Sequence, residues 1–161
     1  MIKNTPSITD DVRVNDVRAQ MEHRAAWLYW LTEEAAKHGL NADDFARQAI
    51  FNCGCFNKQK FGSAEDFAEY CDKVFFDSLK PVFEQDVNIN EKEMIVKFHY
   101  CPLVASWMKL TDDEEKIRHL CDIAMDGDRG IFSHEGYDFN IETRISEGDD
   151  VCTIHVINTK K

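Results

Sequence analysis

A chain of 161 residues with 43% hydrophobic and 11% aromatic residues has enough apolar surface to bury one core, which excludes a disordered chain. Thirty acidic residues against nineteen basic ones leave a net charge of −11. That charge repels phosphate backbones and anionic lipid, so neither nucleic acid nor a membrane surface is an expected partner.

Met1–Pro6 leads into polar residues, and no apolar run reaches the length of a bilayer span, so the expected location is cytoplasmic. In a reducing compartment the six cysteines are free thiols, metal ligands or catalytic groups rather than disulfides. Cys53-Gly-Cys55 is CxC with no matching second pair, which is a poor zinc pattern.

Residues 1–8 are expected to form a loose tail. From Asp10 to His38 the pattern is helical: Met21, Ala25, Leu28 and Leu31 recur at three- and four-residue spacing, and Trp27 and Trp30 widen the stripe as core or interface residues. Gly39 suits its C-terminal cap. Asn41 caps a second helix that runs to about Asn52 and stops at Gly54. Ser63–Asp66 begins a third, with Phe67, Cys71, Val74, Phe75 and Leu79 on one face, and Pro81 ends it near Leu79. Cys71 reads as a small buried hydrophobe.

After Asp86 the period changes to two. Met94, Val96, Phe98 and Tyr100 alternate with Ile95, Lys97 and His99, giving a strand over Glu93–Cys101 that Pro102 ends. A short helix carries Val104–Lys109. Thr111 and Glu114 form a capping box for the next helix, which turns Ile117, Leu120, Cys121, Ala124 and Met125 to one face and His119, Asp122 and Asp126 to the other, and ends at Gly127. The last third is a hairpin: Phe139–Ile145, a turn at Glu147–Asp150, and Val151–Ile157 with Cys152, Ile154 and Val156 on one side. The order predicts a single α+β domain over 1–161. A helical half (9–86) packs on a three- or four-stranded antiparallel sheet from a strand–helix–hairpin half (87–161).

The stretch His99–Gly130 gathers reactive side chains beside element ends, where loops on a rigid scaffold carry function. Cys101 sits at a strand end. It reads as a nucleophile or metal ligand if an imidazole or helix N-terminus lowers its pKa, and as a buried strand-end thiol otherwise. His99 and His119 are the candidate imidazoles. Cys121 and Cys152 lie on apolar faces and could meet Cys101 in one interior. Three thiolates and a histidine would suit zinc, but no pair has short-loop ligand spacing, so no metal or other cofactor is expected. Asp126-Gly-Asp128-Arg-Gly130 lacks most of a calcium loop. Asp128 reads as a turn residue or as a general base or partner of a substrate ammonium.

HYCPLVASW, LCDIAMDGDRG and GDDVCTIHV resemble the L-2-amino-thiazoline-4-carboxylic acid hydrolase family, and their order is distantly similar to vinyl-reductase-type small-molecule-binding domains. The resemblance is strongest from Val96 to Val156. It implies hydrolysis of a cyclic carbon–nitrogen bond in a small sulfur heterocycle, and by motif position it points to Cys101, Cys121, Asp128 and Cys152. The expected function is therefore a small hydrolase with Cys101, His99, His119 and Asp128 as catalytic residues and Trp107, Cys121, Cys152 and Glu142 as substrate contacts. The alternative is a non-catalytic binding or sensor module with a cysteine-lined pocket. The expected partner is a small molecule, with a homo-oligomer left open.

Overall fold

The computed structural model of the protein describes residues 1–160. Helix α1 (Val12–Lys37) starts where the Asp11 side chain accepts a hydrogen bond from the Val14 amide, and it ends at His38 and Gly39, whose φ of +71° is left-handed. Its buried stripe is Val14, Arg18, Ala25, Tyr29 and Ala35. Trp27, Trp30 and Leu31 are 63%, 53% and 63% exposed, so they do not widen that stripe. The inward side of α1 faces α5 (Pro102–Leu110), where the buried Trp107 indole donates to the Ala25 carbonyl at 2.9 Å.

Asn41 does cap a turn, but only a short 3-10 turn at Ala42–Asp44. Helix α2 (Ala46–Lys58) then runs straight through Gly54. A Cβ at Gly54 would overlap the Gly127 carbonyl and lie 2.9 Å from the Gly130 Cα. The glycine is therefore a crossing point, where backbone meets backbone, and not a stop. Helix α3 (Phe67–Val74) is capped by Asp66 and ends before Leu79. A one-turn α4 (Lys80–Phe83) carries Pro81 in its first turn, where proline is tolerated.

Strand β1 (Gln85–Ile89) pairs with β2 (Glu93–Phe98), which is shorter than the expected Glu93–Cys101. The expectation missed β1 because Asp86 and Asn88 dilute a five-residue alternation. Helix α5 (Pro102–Leu110) starts on Pro102. Helix α6 (Glu114–Ala124) is capped by Asp113, not Thr111: Asp113 accepts from the Lys116 amide at 3.2 Å, and Thr111 only accepts from Asp113. Gly127 lies inside α7 (Asp126–Ile131), the helix that crosses α2. Strands β3 (Tyr137–Thr143) and β4 (Cys152–Asn158) complete the sheet.

The fold is α+β, as expected: a four-stranded antiparallel sheet in the order β1-β2-β4-β3, with helices packed on it. Two apolar clusters hold it together. One joins α1, α5 and α6 through Ala25, Tyr29, Val104, Trp107, Ile117 and Leu120. The other sets α3 on the inner sheet face, with Tyr70, Phe75 and Phe132 against Met94, Val96 and Val156.

Residues 1–8 carry no helix or strand, yet they are not loose. Ile2 is buried, and Asn4 bonds Cys101 on both sides of its backbone, at 2.8 and 2.9 Å. Buried Arg18 donates to the carbonyls of Ile8 and Val82 and to Glu84, with its guanidinium 4.4 Å from the Tyr100 ring centre. Glu84 in turn accepts from the Ser7 and Ile8 amides. One buried charge thus ties the tail, α4 and the end of β2 to α1. No helix among the described residues is long and apolar enough to cross a membrane.

Candidate functional site

The seam between the two clusters does not close. It leaves a cavity of about 330 Å³, within the range of ordinary ligand pockets. Four of the residues picked out in the sequence line it: Cys101 before the first turn of α5, Cys121 on the apolar face of α6, Asp128 on α7 and Cys152 at the start of β4. Cys71 lies apart, buried beneath α3. The convergence follows from local structure. Pro102 ends the extended segment and starts a helix at once, the α6 stripe turns Cys121 inward, and the register opposes Cys152 to Phe98 on the inner face.

The other four candidates lie elsewhere, each for an evident reason. His99 is half-exposed and pairs with Asp86 at 2.7 Å beside an outer groove. His119 sits on the polar face of α6, half-exposed, 2.9 Å from Asp43. Trp107 is fully buried core with its N–H already satisfied by Ala25. Glu142 stands on the outer sheet face and accepts from His155 Nδ1 at 2.8 Å. No histidine lines the cavity, so no imidazole is within reach of Cys101.

The chamber end is electrostatically distinctive. Burial pushes the Cys101 thiol up to about 12, with Cys121 adding to the shift and the first-turn amides of Val104 and Leu103 opposing it. Burial also raises Cys121 and Cys152. All three are therefore neutral thiols at ordinary pH. Burial raises the Asp128 carboxyl to about 6, while the charges of Arg24 and Arg129 pull it back. Such a carboxyl exchanges its proton near neutral pH, which suits acid–base work. Ser146, fully buried, sets its hydroxyl beside the Cys121 thiol and opposes the rise of that thiol.

Arg24 from α1 lies near Asp128, and Asn57 from α2 also lines the cavity. The rest of the lining forms an aromatic arm: Phe61, Phe75, Phe83 and Phe98, with Leu79 and Ile154. Sequence reading missed these residues. Arg24 did leave a signal, three residues after Met21 on the inward stripe, but a charge there reads as solvated surface. Among the described residues, no three His, Cys, Asp or Glu side chains are placed to hold a metal ion.

The chain belongs to the L-2-amino-thiazoline-4-carboxylic acid hydrolase family, whose model matches residues 18–156. A search of curated proteins finds no match. Among solved structures the fold is similar to a trafficking protein particle complex subunit 3 from Naegleria fowleri, covalently bound to palmitic acid. That likeness has a TM-score of 0.58 and 15% identity, and it covers 89% of this chain and 97% of that one. At that identity it speaks for the fold.

Proposed function

We propose that the cavity is the active site of a hydrolase acting on a cyclic carbon–nitrogen bond of a small, sulfur-containing substrate, with Asp128 as the group that moves the proton. Membership of the hydrolase family supports the reaction class. The observation that carries the site is the Asp128 carboxyl, raised to about 6 and facing the same cavity as Cys101, Cys121 and Cys152.

The ionised carboxylate takes a proton from water as the water oxygen bonds to the ring carbon between nitrogen and sulfur. That proton passes to the ring nitrogen as its double bond to the carbon becomes single; the carboxylate then takes the proton of the new hydroxyl and delivers it to the same nitrogen as the carbon–nitrogen bond breaks, so the hydroxyl becomes the carbonyl and the nitrogen leaves as an amine. A water nucleophile fits this chamber better than a Cys101 thiolate, because a thiol raised to about 12 holds its proton at neutral pH. The neutral thiols then serve as weak donors around the ring sulfur and nitrogen.

The test is Asp128→Asn with 2-amino-thiazoline-4-carboxylate as substrate. The expected result is a fall in kcat on the order of 10²-fold or more, the usual contribution of general acid–base catalysis, with the fold intact. Turnover equal to wild type would overturn the role of Asp128.

The second reading is a binding module without turnover. The aromatic arm favours it, since it offers more apolar surface than a small polar ring needs. The similar fold of the palmitate-bearing trafficking subunit agrees with an apolar guest. Binding without turnover in both wild type and the Asp128 variant would select this reading.

A further inference from the structure

The aromatic arm contains one polar group that neither reading uses. Gln85 opens β1 and shares a face with Val87 and Ile89, both packed on the second cluster, so its side chain points to the inner side of the sheet. It lines the cavity. Its Nε2 and Oε1 are both shielded from solvent and both lack a hydrogen-bond partner. A buried carboxamide with neither end satisfied is rare in folded proteins and costs stability, so its retention calls for a partner that the chain itself does not supply.

The strand register fixes where that partner sits. Gln85 opposes Phe98 across β1 and β2, and Phe98 opposes Cys152 across β2 and β4. Gln85, Phe98 and Cys152 therefore form one cross-strand row on the inner face. With strands about 4.8 Å apart, the backbone positions of Gln85 and Cys152 stand roughly 10 Å apart, with Phe98 between them.

We propose that Gln85 is the second polar subsite of a bipolar ligand. One end of the ligand occupies the chamber of Asp128, Arg24 and the thiols. An apolar spacer crosses Phe98, and the far end carries a neutral group that both donates and accepts, a hydroxyl or a carboxamide, paired with the Gln85 amide. The proposal rests on the reading that the cavity is the ligand site, and on no step of the chemistry. The row length sets the spacer, and the cavity volume bounds the whole ligand. Backbone-like chains advance about 3.5 Å per three bonds, so roughly 10 Å is about eight or nine bonds. A cavity of about 330 Å³ holds roughly ten methylene-sized groups, each near the ~30 Å³ of a liquid water. A plain hydrocarbon tail would fill the arm and leave the amide unsatisfied, and a small ring alone would not reach it.

The full-length protein and a Gln85→Met variant, which keeps side-chain length and removes both hydrogen-bonding groups, are titrated by calorimetry with two probes. These are decanoic acid and ω-hydroxydecanoic acid, equal in chain length and different only at the far end. The wild type is expected to bind the hydroxy acid about tenfold more tightly, a difference of about 1.4 kcal/mol. The variant is expected to lose or reverse that preference. Its unliganded melting temperature should be no lower than wild type, since the substitution removes an unsatisfied amide. Equal or tighter wild-type binding of decanoic acid, an unchanged preference in the variant, or no binding of either acid would overturn the proposal. So would a clear drop in the variant's melting temperature, because the amide would then be supporting the fold. Both acids are unreactive, so these outcomes are separate from the turnover that tests Asp128 as catalyst.

Discussion

Asp128 shows how burial changes what a side chain can do. In the sequence it reads as one more acidic turn residue. In the fold it faces a cavity, and burial lifts its carboxyl from 3.8 to about 6. The consequence for stability has a definite sign. The folded state holds this proton over a pH range where the unfolded state has lost it. Folding is therefore unpenalised below the unfolded value of 3.8, and stability is lost as pH rises from there to about 6. Above that range the accumulated loss is on the order of 3 kcal/mol. Asp128→Asn abolishes the titration. Its melting temperature is expected to exceed wild type at pH 8 and to approach it near pH 4, as followed by circular dichroism across that range. A variant that melts below wild type at pH 8 would show that the carboxylate is stabilised rather than strained. The histidines went the other way at this scale. His99 and His119 looked like proton carriers beside Cys101, but each is already paired with an aspartate on the surface. A linear sequence lists which groups are near in number, not which carboxylate lies across the fold.

At the scale of elements, helices and strands followed from local rules where a cap or a period was strong. Asp11 and Asp66 start α1 and α3, and the two-residue alternation locates β2 and the last hairpin. Glycine was the exception. Gly54 and Gly127 read as helix stops, because glycine weakens helices and favours their ends. Both lie within helices, since α2 and α7 cross so closely that no Cβ fits at Gly54 or Gly130. Gly54→Ala puts a methyl into the α7 backbone, and two helices must separate to admit it. The expected loss is on the order of 3 kcal/mol, at the upper end for overpacking, read from the urea midpoint. A midpoint equal to wild type would mean that the crossing is looser than described. Because α7 carries Asp128, the same variant is expected to weaken binding in the cavity.

For the molecule as a whole, a charge of −11 acts on every residue at once. Close ion pairs such as Arg47 with Asp122 at 2.8 Å and Arg129 with Asp122 at 3.0 Å persist at moderate salt. The repulsion among distant carboxylates does not, because the Debye length falls from about 30 Å at 0.01 M to about 8 Å at 0.15 M. The melting temperature at pH 7.5 is therefore expected to rise over that interval, measured by scanning calorimetry. A fall would mean that the surface pairs outweigh the repulsion.

Local patterns carry the α+β class, the antiparallel sheet and the inward direction of Cys121 and Cys152, whereas Cys101 faces inward only because Pro102 starts a helix there. Periodicity is a local property, and each residue's face is set by its own element. The family was legible too, because its motifs are contiguous strings around those same cysteines. Packing across the whole chain settles which inward faces share one space. It set Trp107 in the core and Glu142 on the outer sheet face, brought Arg24 and Asn57 from distant helices to the same cavity, and left Gln85 buried without a partner in a row with Phe98 and Cys152. Those facts depend on helix crossings and strand register, which are settled by packing between elements far apart in the chain, and no local pattern encodes them.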